Sequence, residues 1–572
     1  DIKVSGDKNY SISYQAEKTT DKIVGEGTLL KEGSGNFILN VLNELKGGTV
    51  VRGGCVIMEK ADSPNAFGRK VSLEGGGIGM AISDNKNTLK FSAASIVVPD
   101  KSTGAITAGR YVYLLNEFGG KGQLTIYSGG ERVGFTEDFA GKTNMAGLTG
   151  FEGELLVGAN NNEALSPGYK AVFLNTTKKF DDFVAAGNFS GDLYGVDSTF
   201  VYTKVTLLEG AGFTSGSGNR CYAIGELNAE EGGWLGGYVK NSTSPDITYA
   251  VGYSNTDVTT PVAIFDPGKK SYNWVRLIKT GTGTYTFTHV NESPAAVFKG
   301  LFVNSGRAYI NIPVTETGVA LDRVTKAPAA MTIYANAVGG GNGRLVGGIA
   351  VEGGKLEVGY MGIGELVLAD INGETQKSPL TVKDGGIVEF ELASATSYDK
   401  LTTNNVATFN GNKIIVKAAE SFDIKNGDTF TILDAAVVSA GDTYEIEYQG
   451  FPAGLTFTAE RQEYQSGTKI EGEGEEATEV PVMGYKIILT ANGSGTGTGI
   501  EVAETAEEVV VYAQDGSIVV NGVDVENVVV VNNQGIPVAN SNSTVVPMNA
   551  MEGLYIVKIK TSKGIVVKKI VL

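Results

Sequence analysis

Leu29-Leu-Lys-Glu-Gly-Ser-Gly-Asn-Phe-Ile-Leu39 has a counterpart far along the chain, Leu277-Ile-Lys-Thr-Gly-Thr-Gly-Thr-Tyr-Thr-Phe287. Both stretches combine aliphatic residues, one lysine, two glycines spaced by one residue, and then an aromatic residue. After a short gap each continues into a second aliphatic run, Gly48-Thr-Val-Val51 or Gly300-Leu-Phe-Val303, and a further glycine, Gly54 or Gly306. A strand–turn–strand unit of this kind cannot bury its apolar face alone, so the repetition predicts a solenoid of stacked copies.

The composition agrees with a solenoid built of strands. Glycine supplies 79 of the 572 residues, whereas proline supplies only 14, and glycine is the residue that turns a sharp corner with positive φ. Short runs rich in Val, Ile, Thr, Tyr and Phe recur throughout, and helical periodicity is almost absent. At roughly 20 to 28 residues per rung, residues 1 to about 430 predict some 15 to 20 rungs. A set of separate β-sandwiches is the alternative.

The two blocks differ at one point. The second reads Pro294-Ala-Ala-Val-Phe-Lys-Gly300 where the first has the shorter Glu44-Leu-Lys-Gly-Gly48. We therefore expect a bulge or an altered corner in the second block.

The pattern resembles the autotransporter-associated β-strand repeat of large secreted passenger domains. Two blocks fit this repeat, 24–58 and 272–310, and 224–255 is similar to the approach to such a block. Residues 384–434 resemble the end of such a passenger, with Gly386-Ile-Val-Glu-Phe-Glu-Leu392 and Asn426-Gly-Asp-Thr-Phe-Thr-Ile-Leu-Asp434. The resemblance implies a right-handed parallel β-helix.

Changes in composition divide the chain into four segments. We predict an irregular parallel β-helix at 1–434, a β-rich cap at 435–490, a Gly/Ser/Thr linker at 491–504 and a small domain at 505–572. The linker reads Ala491-Asn-Gly-Ser-Gly-Thr-Gly-Thr-Gly499. The cap would cover the open end of the solenoid, because an unpaired last rung invites edge-to-edge association. The last segment carries six or seven evenly spaced strands, which predicts an Ig-like antiparallel β-sandwich.

The last segment also resembles a known family, the C-terminal sorting domain of type IX secretion. The resemblance is carried by Gly553-x-Tyr555-x-Val557, a turn at Gly564, and the terminal lysines Lys568 and Lys569. It implies partners, namely the type IX translocon and its sorting machinery, and attachment to a surface lipopolysaccharide or release. It also implies an extracellular or cell-surface location in a diderm bacterium, after removal of a signal peptide. The alternative is a generic accessory sandwich whose lysines protect an edge strand.

Charge and cysteine content narrow the function classes. With 47 Lys+Arg and 64 Asp+Glu, the net charge is 47 − 64 = −17, which disfavours binding to nucleic acid. The two cysteines, Cys55 and Cys221, do not form a disulfide framework, and the sequence leaves their pairing open.

Few residues are suited to catalysis. Asp181-Asp182 is the only adjacent pair of aspartates and His289 is the only histidine; we interpret the first as a solvated stretch and the second as a strand residue. No serine-hydrolase elbow, HExxH motif or phosphate loop is present, and no cofactor or metal is expected. The acidic run Glu471-Gly-Glu-Gly-Glu-Glu476 is interpreted as a solvated loop rather than a calcium site. Trp234 and Trp274 are candidate glycan-stacking residues, and burial at a rung corner is the alternative.

These observations predict a non-enzymatic, secreted or surface-displayed rod that acts as an adhesin, matrix component or structural fibre. Two alternatives remain: a β-helix polysaccharide lyase or hydrolase with a divergent site, and a passive glycan-binding module.

Overall fold

The structure of the chain, a computed structural model, describes most of the sequence. The described residues are 1–13, 22–58, 66–80, 89–91, 94–108, 112–114, 116–128, 133–134, 150–159, 171–174, 197–215, 220–238, 247–264, 274–288, 297–311, 331–360, 362–369, 379–383, 385–439, 443–471, 478–498, 509–514, 516–522, 525–532, 537–548, 553–561 and 564–571. Within them every regular element is a β-strand, so the prediction of an all-β chain is confirmed.

The strands of the first part of the chain are short, mostly three to six residues, and glycine-rich corners separate them. In chain order they are β1 Ile2–Val4, β2 Tyr10–Ser13, β3 Lys22–Gly25, β4 Leu29–Lys31, β5 Phe37–Asn40, β6 Leu42–Leu45, β7 Thr49–Val51, β8 Cys55–Met58, β9 Lys70–Leu73, β10 Gly77–Met80, β11 Leu89–Phe91, β12 Ser95–Val98, β13 Thr103–Ala108, β14 Val112–Leu114, β15 Phe118–Gly120, β16 Gln123–Ser128, β17 Val133–Gly134, β18 Glu154–Ala159 and β19 Ala171–Leu174.

The middle of the chain contains longer strands, some of which bend from one face of the stack to the next. They are β20 Asp197–Leu207, β21 Gly212–Ser215, β22 Arg220–Ala229, β23 Trp234–Tyr238, β24 Ile247–Val251, β25 Val258–Thr260, β26 Ala263–Ile264, β27 Trp274–Lys279, β28 Thr284–Phe287, β29 Val297–Val303, β30 Gly306–Asn311, β31 Met331–Tyr334, β32 Ala337–Val346, β33 Ile349–Glu352, β34 Lys355–Val358, β35 Glu365–Ala369, β36 Leu380–Lys383, β37 Ile387–Ser394, β38 Ser397–Tyr398, β39 Lys400–Thr408, β40 Asn410–Ala418, β41 Ser421–Ile424, β42 Thr429–Val437 and β43 Thr443–Gln449.

The remaining strands form a long hairpin and then a separate unit. The hairpin and its short companion are β44 Thr456–Glu471, β45 Thr478–Asn492 and β46 Gly495–Thr498. The final unit contains β47 Val510–Gln514, β48 Ser517–Asn521, β49 Val525–Asn532, β50 Pro537–Ser541, β51 Val545–Pro547, β52 Leu554–Thr561 and β53 Gly564–Val571.

From β1 to β43 nearly all pairing is parallel, and strands of successive rungs lie on three faces. Face 1 begins with the strand order β1-β4-β7-β9-β12-β15, and face 3 contains the strand order β11-β14-β17-β19-β21-β23-β26. Within a rung the chain passes from face 1 to face 2 and then to face 3. Seventeen segments follow one another on face 2: β2, β5, β8, β10, β13, β16, β18, 204–207, 226–229, β25, β28, β30, 337–342, β34, β37, β40 and β43. At the usual strand spacing this stack is about 77 Å long. The predicted parallel β-helix is confirmed.

The two repeat blocks occupy equivalent places in the stack. Lys31 points inward, in register between Val4 and Val51, and its ammonium donates to the carbonyls of Glu32, Gly33 and Gly53 at 2.7, 2.9 and 3.1 Å. This arrangement satisfies a buried cation with backbone oxygens.

Lys279 repeats this geometry in the second block. It lies in register between Val251 and Val303, and it donates to the carbonyls of Thr280, Gly281 and Ser305 at 2.5, 3.0 and 3.3 Å. The Lys-x-Gly-x-Gly spacing is therefore the sequence signature of a corner at which a buried lysine donates hydrogen bonds to backbone carbonyls.

The expected irregularity in the second block is present. The register between β27 and β29 shifts after the pair Val275–Phe298 and resumes at Leu277–Leu301. Two residues, Lys299 and Gly300, thus face one, and Gly300 has a φ of 119°. The prediction of a bulge at this point is confirmed, and the extra residue explains why the alignment of the blocks slips there.

Parallel pairing continues to Gln449, past the predicted boundary at 434, because β43 adds to β40. The antiparallel hairpin β44–β45 then joins β42, and aromatic side chains close the end of the core. Phe457 lies 5.1 Å from Tyr448 and 4.9 Å from Phe451 between ring centroids. This cluster, which also includes Phe422 and Phe430, is called the aromatic plug below.

Part of the predicted linker has regular structure. Residues 495–498 form β46, which pairs antiparallel with β41. The alternation of Gly and Thr did not predict a strand. The segment is a strand because the edge of β41 supplies hydrogen-bond partners for its backbone N–H and C=O groups, whatever its side chains are. Residues 499–504 lie outside the described part of the chain.

The final unit consists of two antiparallel sheets. One has the order β47-β48-β51 and the other the order β50-β49-β52-β53. Their inward residues share one apolar cluster, separate from the solenoid core, formed by Val509, Ile518, Val520, Val528, Val530, Val546, Tyr555, Val557 and Ile559. Two sheets around one core make a small sandwich, as the strand spacing predicted.

Candidate functional site

Outward side chains of successive rungs form ion pairs that run along the axis of the stack. In-register parallel pairing places equivalent residues roughly 4.8 Å apart, so like charges in one column would repel. Near the beginning of the chain, Glu32 contacts both Lys3 at 2.7 Å and Arg52 at 3.6 Å, and Arg52 contacts Glu74 at 3.0 Å. Opposite charges therefore alternate from rung to rung.

Among the described residues the longest such series lies on face 2, and we call it the charged ladder. Its members alternate in sign along the series and come from β30, β34, β37 and β40, with β32 lying between β30 and β34: Arg307, Glu357, Lys355, Glu389, Lys417 and Glu391. Lys355 bridges Glu357 at 2.6 Å and Glu389 at 3.0 Å. Lys417 bridges Glu389 at 2.7 Å and Glu391 at 2.9 Å. Glu389 is buried between the two lysines.

At one end of the charged ladder, two side chains reach across an entire rung. The Tyr309 hydroxyl donates to Glu357, and Arg307 donates to both oxygens of the same carboxylate at 3.0 and 3.1 Å. Gly340 of β32 stands between Tyr309 and Glu357 in the register. Gly340 contributes no side chain between Tyr309 and Glu357, and a Cβ there would clash with the carbonyl oxygen of Glu357. The Tyr360 ring packs 5.3 Å from that of Tyr309.

The surroundings of Glu357 and Tyr309 keep both side chains in their ordinary charge states. Burial raises the pKa of the Glu357 carboxyl, but hydrogen bonds from Lys355 and Tyr309 and the nearby cations outweigh it, so the net pKa is lowered. Burial and the Glu357 charge raise the pKa of Tyr309 well above its ordinary value. At neutral pH Glu357 is ionised and Tyr309 is protonated, so neither is poised for proton transfer near pH 7.

The charged ladder is internally neutral, with three cations and three carboxylates. Every carboxylate in it has a cation within 3.0 Å, and so none is free to act as a nucleophile or general acid. Paired, partly buried charges of this kind hold adjacent rungs in register. The arrangement suits a rigid surface better than a catalytic centre.

The residues named as sugar-stacking candidates are placed differently. Trp234 is 5% exposed, its ring packs against Gly212 of the preceding rung, and its indole N–H donates to Gly210 at 3.4 Å. It lacks the exposed face that sugar stacking requires and takes the alternative role of a buried corner residue. Trp274 begins β27, but its side chain lies outside the described part of the chain.

The candidate catalytic residues Asp181, Asp182 and His289 also lie outside the described residues. So does nearly all of the acidic run at 471–476, of which only Glu471 is described. Among the residues that the structure describes, no group of three or more His, Cys, Asp or Glu side chains is arranged to hold a metal. Cys55 and Cys221 are not bridged: they lie on β8 and β22, separated by several rungs.

The six residues that resemble the sorting signal lie on or next to a single hairpin, β52–β53. Tyr555 and Val557 point into the sandwich core, and Gly564 begins the return strand. Lys568 pairs in register with Val557 and Lys569 with Ile556, while Gly553 precedes β52. Among the described strands, β53 pairs only with β52, so Lys568 is an exposed charge on the core-facing side of an edge strand.

The charged ladder was not identified from the sequence. The signal that could have found it is the recurrence of charges two residues apart in successive strands, as in Lys355-Leu-Glu357 and Glu389-Phe-Glu391. Alternation of this kind marks the outward positions of a strand. Which charges meet, however, depends on the register between rungs.

Comparisons with known proteins do not identify the chain: no protein-family model matches it, and no curated protein matches it. Within the described part of the chain, no helix is long and apolar enough to span a membrane.

Proposed function

We propose that the protein is a non-enzymatic, secreted or surface-displayed β-helix rod that serves as an adhesin, matrix component or structural fibre. The observation that carries this proposal is the stack of seventeen segments that follow one another on face 2, whose longest described ion-pair series is neutralised within itself. A long, rigid and strongly acidic rod is suited to projecting from a surface while remaining soluble.

We propose in addition that the final sandwich directs export through the type IX secretion system to the surface of a diderm bacterium, where it contacts the translocon and sorting machinery. The support is the sequence resemblance of Gly553, Tyr555, Val557, Gly564, Lys568 and Lys569, together with their assembly on one hairpin. Attachment to lipopolysaccharide after export is part of the same proposal.

Deletion of residues 505–572 tests the export route. In a type IX-competent host, we expect the truncated protein to accumulate in the periplasm, whereas the full chain reaches the surface, as measured by cell fractionation and protease accessibility. As the reciprocal control, residues 499–572 fused to a periplasmic reporter should carry that reporter to the surface. Surface display of the truncated protein would contradict the proposal.

The non-enzymatic assignment is tested with acidic and neutral polysaccharides, each with and without calcium. We expect no turnover by the full chain. Turnover that is lost in Asp181→Ala or Asp182→Ala, but retained in a variant with an exposed lysine changed, would show that the protein is a β-helix glycan enzyme.

A further inference from the structure

A second network of outward side chains lies on face 2, far along the chain from the charged ladder and the aromatic plug. Gln123 of β16, Glu154 of β18 and Lys204 of β20 are in register. The Glu154 carboxylate accepts hydrogen bonds from the Gln123 amide at 2.8 Å and from the Thr206 hydroxyl at 3.1 Å. It also lies 3.3 Å from the Lys204 ammonium. Burial raises the pKa of Glu154, but the hydrogen bond from Gln123 and the charge of Lys204 outweigh it, so the net pKa is lowered and the carboxylate is ionised at neutral pH.

The network continues onto the next strand, β22. Glu226 is in register with Lys204, lies 3.8 Å from its ammonium, and accepts a hydrogen bond from the Asn228 amide at 2.7 Å. A carboxamide has two N–H donors and a carbonyl acceptor, and within the described residues Gln123 and Asn228 each use only one of these groups. Their remaining groups are available to a ligand. We call the six side chains the Glu154 network: Gln123, Glu154, Lys204, Thr206, Glu226 and Asn228.

An exposed tyrosine borders the Glu154 network on one side. Tyr202 of β20 is 64% exposed. The strands β20 and β22 pair at Phe200–Ile224 and again at Lys204–Glu226, so three residues of β20, 201–203, face a single residue of β22. Bulges of this kind redirect side chains of the longer strand. The bulge places the Tyr202 ring in solvent, two residues before Lys204.

A second tyrosine borders the network on the opposite side. Tyr127 follows Gln123 by four residues on β16 and is in register with Gly158 of the next rung. Its ring leans into the space above Gly158, since a Cβ there would lie 2.9 Å from two carbons of the ring. Tyr127 is half-buried, so part of its ring is accessible for stacking. Strand and rung spacings put Tyr127 and Tyr202 roughly 20 Å apart, a span that suits an oligosaccharide better than a single sugar.

The charges at this surface select the kind of ligand. The Glu154 network contains one ammonium group and two carboxylates, a net charge of 1 − 2 = −1. Lys204 lies between Glu154 and Glu226, and the neighbouring Lys121 is paired with Glu152 at 2.8 Å. Because both of these lysines are already matched by carboxylates, an anionic glycan would be repelled. Neutral sugars carry no such penalty, and their hydroxyl groups can bond to amides and carboxylates alike.

A sugar ring combines an apolar face of C–H groups with a rim of hydroxyl groups, so aromatic rings together with planar polar side chains are suited to bind it. We propose that the outward surface of β16, β18, β20 and β22, from Tyr127 to Tyr202, binds a neutral oligosaccharide. The two tyrosine rings stack on sugar faces, and the Glu154 network hydrogen-bonds the hydroxyl groups. The inference rests on the proposed function, because it assigns the ligand surface of the proposed adhesin.

An array of defined glycans, probed with the full 572-residue chain, tests the proposal. It carries neutral oligosaccharides of glucose, mannose, galactose and xylose beside uronic-acid and sulfated glycans. We expect binding to a neutral oligosaccharide, whose affinity is then measured by titration calorimetry. Tyr202→Ala and Tyr127→Ala should each weaken it by about tenfold or more, whereas Tyr202→Phe should retain it, because phenylalanine also stacks. The matched control is Tyr512→Ala on the sandwich, at a tyrosine that is 42% exposed; it should leave the affinity unchanged.

A polar variant keeps the test independent of aromatic packing. Asn228 faces outward and is only half-buried, so Asn228→Ala should preserve the far-UV circular dichroism spectrum and thermal midpoint. It should weaken binding by about threefold or more through the lost hydrogen bonds. The proposal is overturned if the chain binds no neutral oligosaccharide or prefers charged glycans. It is also overturned if binding is indifferent to Tyr202→Ala, Tyr127→Ala and Asn228→Ala.

Cell adhesion separates this inference from the proposed function. Cells that display the full chain, or its Tyr202→Ala variant, are placed on plates coated with protein or with the neutral oligosaccharides. Adhesion to protein that Tyr202→Ala leaves unchanged, without binding to glycan, would overturn the glycan site but support the adhesin. Glycan binding by the purified chain without adhesion of the displaying cells would support the site and contradict the adhesin.

Discussion

Single residues at the rung corners account for the repeat that is visible in the sequence. Lys31 and Lys279 each place an ammonium group among three backbone carbonyls, where a side chain without N–H or O–H groups leaves those oxygens without donors. Burial lowers the pKa of Lys279 to about 8. Burial also lowers the pKa of Lys31.

Replacing Lys279 with methionine should destabilise the solenoid by about 2 kcal/mol at neutral pH, because the three carbonyls lose their donors. The effect should depend on pH. An unfolded lysine holds its proton up to 10.5, whereas folded Lys279 loses it near 8. Between these values the unfolded state binds more protons, so wild-type stability should rise relative to the variant by up to about 3 kcal/mol.

Chemical denaturation of wild type and Lys279→Met at several pH values between 7 and 10.5 measures this difference. Lys46→Met, at a lysine that is highly exposed, serves as the control for the loss of a lysine and should change the unfolding free energy by less than about 1 kcal/mol. A gap between wild type and Lys279→Met that stays constant or narrows as pH rises would contradict the argument.

Glycine at the corners is required for two separable reasons, positive φ and space. Gly54 has a φ of 59°, and a Cβ there would lie 2.2 Å from the carbonyl oxygen of Gly35. Gly411 has a φ of 70° with nothing within 4 Å of the same position. Gly54→Ala should therefore cost about 3 kcal/mol and Gly411→Ala only about 1 kcal/mol in unfolding free energy. Equal losses would show that backbone conformation alone selects glycine.

At the scale of strands, the charged ladder ties each rung to the next by side chains as well as by backbone hydrogen bonds. Its most buried member is Glu389, which lies between Lys355 and Lys417. A half-exposed pair further along the same face, Lys413 of β40 and Glu447 of β43, has a similarly short distance of 2.6 Å. The two pairs differ mainly in burial, which makes them a matched test.

Glu389→Gln should lower the unfolding free energy by about 2–4 kcal/mol, because two partly buried lysines lose their shared counter-charge. Glu447→Gln should cost less than about 1 kcal/mol, because solvent screens the exposed pair. Denaturation at low and high salt checks both: the Glu447 effect should vanish at high salt and the Glu389 effect should persist. If the two variants are equally mild, the charged ladder does not stabilise the stack.

At the scale of the whole molecule, the described residues form a large solenoid core, a much smaller sandwich core, and a separate cluster of five residues on β20, β22, β24 and β27: Val201, Cys221, Ala223, Ala250 and Ile278. The solenoid core runs from Leu29 to Ala491, whereas the sandwich has its own cluster of nine buried residues. Small domains bury a smaller fraction of their surface and are less stable. The sandwich should therefore unfold at a lower denaturant concentration than the solenoid.

Spectroscopy separates the two transitions, since both tryptophans, Trp234 and Trp274, belong to the solenoid. We expect an early transition in far-UV circular dichroism with no change in tryptophan fluorescence, followed by a later transition in both signals. A chain ending at Thr498 should lack the early transition. A single coincident transition in the full chain would show that the two cores unfold together.

Local sequence was enough to predict the all-β class, the stacked repeats, the glycine corners and the strands of the final sandwich. The reason is that side-chain alternation and turn residues depend on the backbone conformation of their own segment. Even the bulge before Leu301 followed from the lengths of two aligned segments. The parallel stack, however, extends past 434 to Gln449, and the strand at 495–498 was missed, since pairing with a distant edge decides both.

Contacts between rungs required the folded chain. Lys31 reaches Gly53 only because one turn of the solenoid brings them together, and Arg307 meets Glu357 only because a glycine strand intervenes. Loops of unequal length set the register, and no local pattern encodes it. For the same reason the burial of Trp234 depends on the neighbouring rung that covers it, which only the three-dimensional stack determines.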